Sequence, residues 1–510
     1  MERRLVLALA LSLLVVLSWS GLMAKLHPID KQEVTMEKPL PTPDLERPAP
    51  VTNKEIKETG AQDTGFENVA FDNQEIVFAL PSATIREVIF KNYQNYQFIL
   101  QRGFWLKDSG FKFQVEKLGS EPSFIYQDQD KKIIKHFILD NSNNHIGLDI
   151  IIKNLSNNAI DINYPIILGN IELSSSQLES RFQEIILLQG EKILRLNLRR
   201  NFTSTENLKF MAIKDRYFCL VVQPEGVGFR GFINKLNNKE AEVGMIFETK
   251  IPPGEEQSLN FSIYIGPQKL SILESLNRDW GAIINYGTFD YISKLLLKLL
   301  GFLYHGVHNW GVAIVLLSLA IYFVLFPLTL KQMHSMKRMQ ELQPKIEKIR
   351  QIYKDNPQKL NKEVMELYRK EKANPFSGCL PMLLQIPIFF ALYQSLIRSV
   401  ELKGANFLWI KDLSEPDRLI ILSNSLPVIG KEINILPVLM MIMMFLQQKF
   451  SAMPSAGSSQ EQQRLMMILF PVLFGIIFYH MPSGLVLYWF INTLLMSLYQ
   501  FKIKFPRASH

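Results

Sequence analysis

Residues 307–330 read VHNWGVAIVLLSLAIYFVLFPLTL, a stretch with no Asp, Glu, Lys or Arg. It is long enough to cross a bilayer as one helix. Directly after it the chain turns basic, with Lys331, Lys337, Arg338, Lys345, Lys348 and Arg350, and it stays basic to Lys372. Lysine and arginine accumulate in cytoplasmic loops, so an apolar span running into such a segment fixes an orientation as well as a location. Working outward, residues 376–397 and 433–450 are further spans. The run 465–501 is too long for one helix, but Pro482, Ser483 and Gly484 near its middle permit a turn between two. At the other end, the apolar run 5–17 follows Arg3 and Arg4, an arrangement shared by signal peptides and signal anchors. Ser18 and Ser20 would suit a cleavage site, yet the apolar run continues to Met23, so residues 1–23 are read as an uncleaved anchor.

Six spans result, and they place every strongly basic loop on one side of the membrane. The N-terminus, residues 331–375, residues 451–464 and the tail with Lys502, Lys504 and Arg507 fall in the cytoplasm; residues 24–300 and the loop 401–432 fall outside. The expectation is a multi-pass inner-membrane protein with a large periplasmic domain. The 510 residues are 47% hydrophobic with a formal charge of +8. The cations sit beside apolar segments and are not interleaved with base-stacking aromatics, which favours a membrane surface or an anionic partner over nucleic acid. Cys219 and Cys379 lie in different regions and suggest neither a disulfide framework nor a metal site.

The polar half divides in two. Residues 24–74 contain Pro39, Pro41, Pro43, Pro48 and Pro50 with few large apolar residues, and are expected to be a flexible linker. From 75 to 280, short alternating runs at 76–80, 111–115, 133–139, 146–152, 218–222 and 259–265, separated by Gly, Asn and Pro, predict an antiparallel all-β sandwich. Neighbouring carboxylates such as Glu255 and Glu256 resemble ordinary solvated surface. No acid–base pair, phosphate loop or histidine-rich set stands out, so the expectation is a docking or spacing domain with no catalytic residue, no metal and no cofactor. In residues 281–305, Ile292, Leu295, Leu296 and Leu299 oppose Ser293, Lys294 and Lys298, as in an amphipathic helix lying in the membrane interface.

Residues 331–375 are predicted to form a cytoplasmic helical hairpin. Met339, Leu342, Ile346, Ile349 and Tyr353, and then Leu360, Val364 and Leu367, follow a three-four spacing, interrupted at Asp355, Asn356 and Pro357. Pro344 should kink or restart the first helix. Lys337, Arg338, Lys345, Lys348 and Arg350 are its candidate contacts to ribosomal RNA, lipid head groups or a nascent chain. Within the spans, Ser318 and Tyr322 are four apart and share a helix face, as do Tyr488 and Asn492, while Gln385 lies between Pro381 and Pro387. Each alone is an ordinary interhelical hydrogen bonder. Recurring in several spans without a charged relay, they suggest a wet, uncharged groove.

The sequence also resembles the YidC insertase family, Gram-negative type. The resemblance rests on Asn309-Trp310-Gly311, Pro327-Leu328-Thr329, Leu342-Gln343-Pro344-Lys345-Ile346, Asn374-Pro375, Gly378-Cys379, Gln385-Ile386-Pro387-Ile388-Phe389 and Pro482-Ser483-Gly484-Leu485-Val486-Leu487-Tyr488, in order and at the family's spacing. Looser matches are Phe124-Ile125-Tyr126-Gln127 and Gly266-Pro267. The resemblance implies a five-helix insertase core, over residues 306–505, with a hydrophilic groove open to the cytoplasm and lipid. Ser318, Gln385, Tyr488 and Trp489 would line the groove or the substrate path. It further implies nascent membrane proteins as substrates and the Sec translocon as a partner, with the ribosome met through the hairpin, since the tail after Phe501 lacks the long basic extension of some relatives. One departure stands out: many members carry an arginine four residues after the position of Ser318, where this chain has Tyr322 and no other basic residue between 310 and 330. A polar, hydrated groove is therefore expected to suffice. The competing readings are a secondary transporter or channel, which would call for internal repeats and intramembrane ion ligands, and an anchored sugar-active enzyme, which would not call for six spans.

Overall fold

The computed structural model describes residues 63–504 except 72, 108–109, 141–143, 177–178, 227, 355, 372–379, 427–429 and 452–459. The expected anchor at 1–23, the linker up to 62, the Asn374-Pro375 and Gly378-Cys379 motifs, most of the 451–464 loop and the tail from 505 lie outside the described residues.

The β half is built from antiparallel strands on three main sheets. Nine strands form the largest, in the order Lys192–Asn197, Glu184–Gln189, Leu208–Lys214, Phe218–Glu225, Glu256–Pro267, His145–Asn154, Lys131–Asp140, Ser123–Gln127, Gln114–Lys117. A five-stranded sheet centred on Glu240–Ile246 and Ile166–Glu172 and a four-stranded sheet starting at Gly65–Phe71 complete the layers. Strict alternation drives the packing: in Lys131–Asp140 the side chains of Ile133, Lys135, Phe137 and Leu139 are buried while those between them are not. Phe78 packs on Phe124 and Phe137 at ring distances of 5.2 and 5.1 Å. The inward Lys135 is fully buried and gives its ammonium to the carbonyls of Ala83 (3.0 Å), Phe104 (2.9 Å) and Ser82 (3.4 Å).

Two strand expectations need correction. The sheet begins at Gly65, within the expected linker, because Val69 and Phe71 are buried as Gly65–Phe71 pairs with Gln74–Leu80. In the run 111–115 the apolar signal comes from Phe111 and Phe113, which are buried outside any strand, and only Gln114–Lys117 is extended and paired.

After the sandwich come nine helices among the described residues: α1 Leu270–Leu276, α2 Asp290–Val307, α3 Trp310–Glu341, α4 Gln343–Ile352, α5 Pro357–Lys370, α6 Leu380–Leu396, α7 Ile435–Ser451, α8 Gln460–Phe478 and α9 Ser483–Lys504. The segments Trp310–Met339 and Ser483–Phe501 are long and apolar enough to cross a membrane, and Ile435–Lys449 and Met467–Phe478 are shorter apolar helices. The amphipathic helix expected over 281–305 starts at Asp290, because Arg278–Ile283 forms a 3-10 turn that buries Trp280 and Ile283 in a cluster with Ile186, Phe210 and Tyr264 of the sandwich. Its packed face is Ser293, Leu296 and Leu300, with Tyr291, Leu295 and Phe302 exposed. Ser293 is thus not on the solvent side; its hydroxyl donates to the Ala391 carbonyl of α6 at 3.0 Å.

The boundary expected at residue 331 does not exist as a break, since α3 runs unbroken through Pro327 to Glu341. The hairpin proper is α4 and α5. Pro344 sits in the first turn of α4, where its missing N–H costs nothing. Asn356 caps α5 by accepting from the Lys359 N–H at 3.1 Å. Leu342, Ile346, Val364 and Tyr368 form the hairpin's own small core. The loop 401–432 holds an unforeseen strand pair, Ile420–Leu426 with Gly430–Ile433.

Candidate substrate groove

The helices α2, α3, α6, α7, α8 and α9 share one hydrophobic cluster. Inside it the polar residues singled out from sequence fall into two groups. The first lies between α6 and α9. Gln385 donates from Nε2 to the Tyr488 hydroxyl at 2.6 Å, and Asn492 donates from Nδ2 to the Tyr488 carbonyl at 3.0 Å. Tyr488 is fully buried, and Gln385 and Asn492 are half-buried. Two proline-flanked turns explain the placement: Pro387 follows Gln385 inside α6, and Pro482-Ser483-Gly484 starts α9 so that Tyr488 arrives one and a half turns in.

The second group is on α3. Ser318 is fully buried and donates to the Ile314 carbonyl one turn earlier at 2.8 Å, so its proton is committed to its own helix and its oxygen lone pairs are what it offers. Tyr322 is half-buried one turn further along, its ring 5.7 Å from Phe326, which in turn meets Tyr499 of α9 edge-on at 5.2 Å.

Trp489 belongs to neither group. Adjacent residues on a helix point about 100° apart, and Trp489 accordingly turns away from Gln385 into an aromatic cluster with Phe389, Phe474 and Phe478 at 5.1, 5.7 and 5.3 Å. The buried hydroxyls of Thr493 and Ser497 continue the face of α9 and bond back to the Trp489 and Thr493 carbonyls. They were legible at four-residue spacing and were not singled out.

Of the cations expected on the hairpin, Lys337 and Arg338 lie instead on the last turns of α3, both exposed, while on α4 Lys345 and Lys348 are exposed and Arg350 is half-buried. Lys345 is held by Glu371 at 2.6 Å. A cleft of about 910 Å³ on the β half is lined by Tyr96, Glu179, Lys214, Asp215, Lys235 and Lys239 among others. It lies on the sandwich, among strand ends and loops remote in sequence from the Gln385–Tyr488 pair.

A site made of amides and hydroxyls inside an apolar helical cluster can hydrogen-bond a passing polypeptide. Among known proteins, the family described as 60Kd inner membrane protein matches residues 302–508, and the family described as YidC periplasmic domain matches residues 104–299. A relative from Syntrophobacter fumaroxidans, "Membrane protein insertase YidC", is 36% identical over 385 residues, covering 72% of this chain and 68% of its own. The chain belongs to the YidC membrane protein insertase family. Another YidC relative, from Pelobacter propionicus, is 39% identical over 297 residues, 57% of this chain and 53% of its own, so that match spans about half the relative's length. A crystal structure of an active YidC insertase with the first transmembrane domain resolved covers 87% of this chain at 20% identity and a TM-score of 0.40. The YidC structure from Thermotoga maritima covers 84% at 16% identity and 0.32. As a YidC-family insertase, the chain is an inner-membrane protein with a periplasmic domain, and its substrates are nascent membrane proteins.

Proposed function

We propose that this insertase receives hydrophobic segments in an uncharged groove formed by Ser318, Tyr322, Gln385, Tyr488 and Asn492. The observation that carries the reading is the Gln385–Tyr488 hydrogen bond, a polar contact between two helices within an apolar cluster, with the buried Ser318 on the neighbouring α3. Unpaired polar backbone and tails are costly in hydrocarbon, by several kcal/mol for each group. A groove lined with hydroxyls and amides offers partners along part of that crossing, and burial of the substrate's apolar side chains completes insertion. No charge is needed at Tyr322 for this, which supports acceptance of neutral tails. Six spans with both termini in the cytoplasm put the sandwich in the periplasm and the hairpin of α4 and α5 in the cytoplasm, where Lys337, Arg338, Lys345, Lys348 and Arg350 would meet the ribosome or anionic lipid. Trp489 acts from behind, through the aromatic cluster that backs α9. Cooperation with the Sec translocon belongs to the same reading, with the periplasmic half as its docking face.

The test is protease protection of a small single-span substrate, synthesised in the presence of proteoliposomes holding only this purified protein. Protection above that of empty liposomes is expected. Equal protection in both would refute insertion by this chain alone.

A further inference from the structure

Between the strands Leu208–Lys214 and Phe218–Glu225 lies the turn Asp215-Arg216-Tyr217. In sequence it looks like a solvated hairpin tip. In the structure Asp215 Oδ1 accepts from the N–H groups of Tyr217 and Phe218, both at 2.7 Å, and Tyr96 donates its hydroxyl to Asp215 Oδ2 at 2.8 Å. That rigid turn drives Arg216 into the helical half, where only 3% of its surface stays exposed. The guanidinium donates to the Ile397 carbonyl (2.7 Å), the Ser414 carbonyl (3.1 Å), Glu179 (3.1 Å) and Glu415 (3.4 Å). Only Glu179 belongs to the sandwich; the other three acceptors lie in the segment between α6 and α7.

The same segment holds the start of α9. The Ser483 N–H donates to the Glu415 carbonyl at 2.8 Å, the Gly484 N–H to the Leu413 carbonyl at 2.9 Å, and the Ser483 hydroxyl to the Asp412 carbonyl at 3.0 Å. The first amides of a helix have no partner within it; here the loop gripped by Arg216 accepts the first two, and the Leu485 and Val486 N–H groups donate to the Pro482 carbonyl. Gly484 leaves little room for a side chain, since a Cβ there would lie 3.1 Å from the Leu413 carbonyl oxygen and 3.2 Å from Ile314 of α3.

We propose that Arg216 is a positioning residue for insertion: through residues 412–415 it fixes the end of α9 and hence the height of Tyr488 against Gln385. An ordinary surface ion pair between the two halves would not do this. Lys269 and Glu401 are 3.9 Å apart and part-exposed, a geometry that contributes little. Burying a guanidinium is costly unless its donors are all directed, and Arg216 meets that condition with two carbonyls and two carboxylates. Its neighbours reinforce the seam: Lys403 of the core lies over the Tyr96 and Tyr217 rings at 5.1 and 5.0 Å, and Arg398 lies over Phe182 at 5.1 Å.

The groove role rests on the insertase reading, whereas the mechanical link does not, so two measurements separate them. Full-length protein in lipid nanodiscs is compared as wild type, Arg216→Ala and Arg216→Lys by hydrogen exchange. In Arg216→Ala the amides of residues 483–487 should exchange about tenfold faster, the effect of losing a charge-assisted anchor at a helix end, while those of Lys131–Asp140 keep the wild-type rate. Arg216→Lys should fall between, because an ammonium cannot reach two carbonyls and a carboxylate as a planar fork does. Insertion by the same Arg216→Ala protein should drop at least about twofold. Unchanged exchange at 483–487 would overturn the link, as would equal acceleration in both regions, which is mere loosening of the sandwich. Faster exchange with unchanged insertion would overturn the positioning role.

Discussion

Lys135 offers the sharpest quantitative test of how the sandwich is held. Its ammonium is fully buried, makes no ion pair with a described residue, and is satisfied by the Ser82, Ala83 and Phe104 carbonyls with the Phe113 ring 4.7 Å away. Burial pushes its pKa from the ordinary 10.5 down to about 7, against a weaker opposing pull from Asp63. Below pH 7 the group is charged in the folded and unfolded chain alike. Between pH 7 and 10.5 the unfolded chain still holds a proton that the folded chain has released, so stability rises with pH by about 1.4 kcal/mol per unit, or about 3 kcal/mol from pH 7 to pH 9. Lys135→Met keeps the length of the side chain and removes the titration. At pH 6 two effects oppose each other: relief of the charge burial, about 5 kcal/mol over the full shift, and the orphaning of carbonyls at about 1–3 kcal/mol each. With three carbonyls orphaned, at about 3–9 kcal/mol together, the variant should lie between about 2 kcal/mol more stable and about 4 kcal/mol less stable than wild type. At pH 9 wild type should lead by about 3 kcal/mol more. Urea titrations of the full-length protein in detergent, read by pulse proteolysis of the sandwich, measure both. Parallel pH dependences in wild type and Lys135→Met would refute the reasoning.

Tyr488→Phe strips Gln385 of its acceptor and should cost about 1–2 kcal/mol in thermal or urea stability; adding Gln385→Leu should restore stability without restoring insertion, and recovery of both would reduce the pair to structural glue. Tyr322→Arg places a cation on α3, and protease protection should rise about two- to tenfold for substrates with acidic tails over neutral ones, an attraction of about 0.4–1.4 kcal/mol; an equal effect on both classes would remove Tyr322 from the groove. Lys337→Glu with Lys348→Glu reverses two exposed charges on the hairpin side and should weaken ribosome co-sedimentation, more so at low salt; unchanged pelleting would move the contact elsewhere.

Local chemistry made much of this readable. Pro344, the Asn356-Pro357 pair and Pro482-Ser483-Gly484 each carry a backbone constraint that acts within a few residues, and the helices start where they require. Lys135 was also within reach: it occupies an inward position of the Ile133-Lys135-Phe137-Leu139 alternation, so a charge on the buried face was there to be noticed. The strand Gly65–Phe71 was hidden because its first residues are part-exposed and only Val69 and Phe71 are buried. The Gln385–Tyr488 contact joins residues 103 apart, and Arg216 reaches partners 181 to 199 residues downstream. No periodicity or turn signal encodes such meetings. They follow from how sheets and helices pack, so an arginine in a polar turn gives no sign that it will be buried.

The unbroken α3 has one more implication. Its 32 residues make a rod of about 48 Å, against about 30 Å of hydrocarbon. Crossing upright, it would leave some 18 Å outside the lipid as stiff helix rather than slack loop, and α4 with α5 is mounted at its C-terminal end. Ser318 and Tyr322 sit in the opposite half of the same rod, with Pro327 between as its weakest point. A sideways force on the hairpin would therefore be carried by one lever, either swinging the polar face of α3 or flexing the shaft at Pro327.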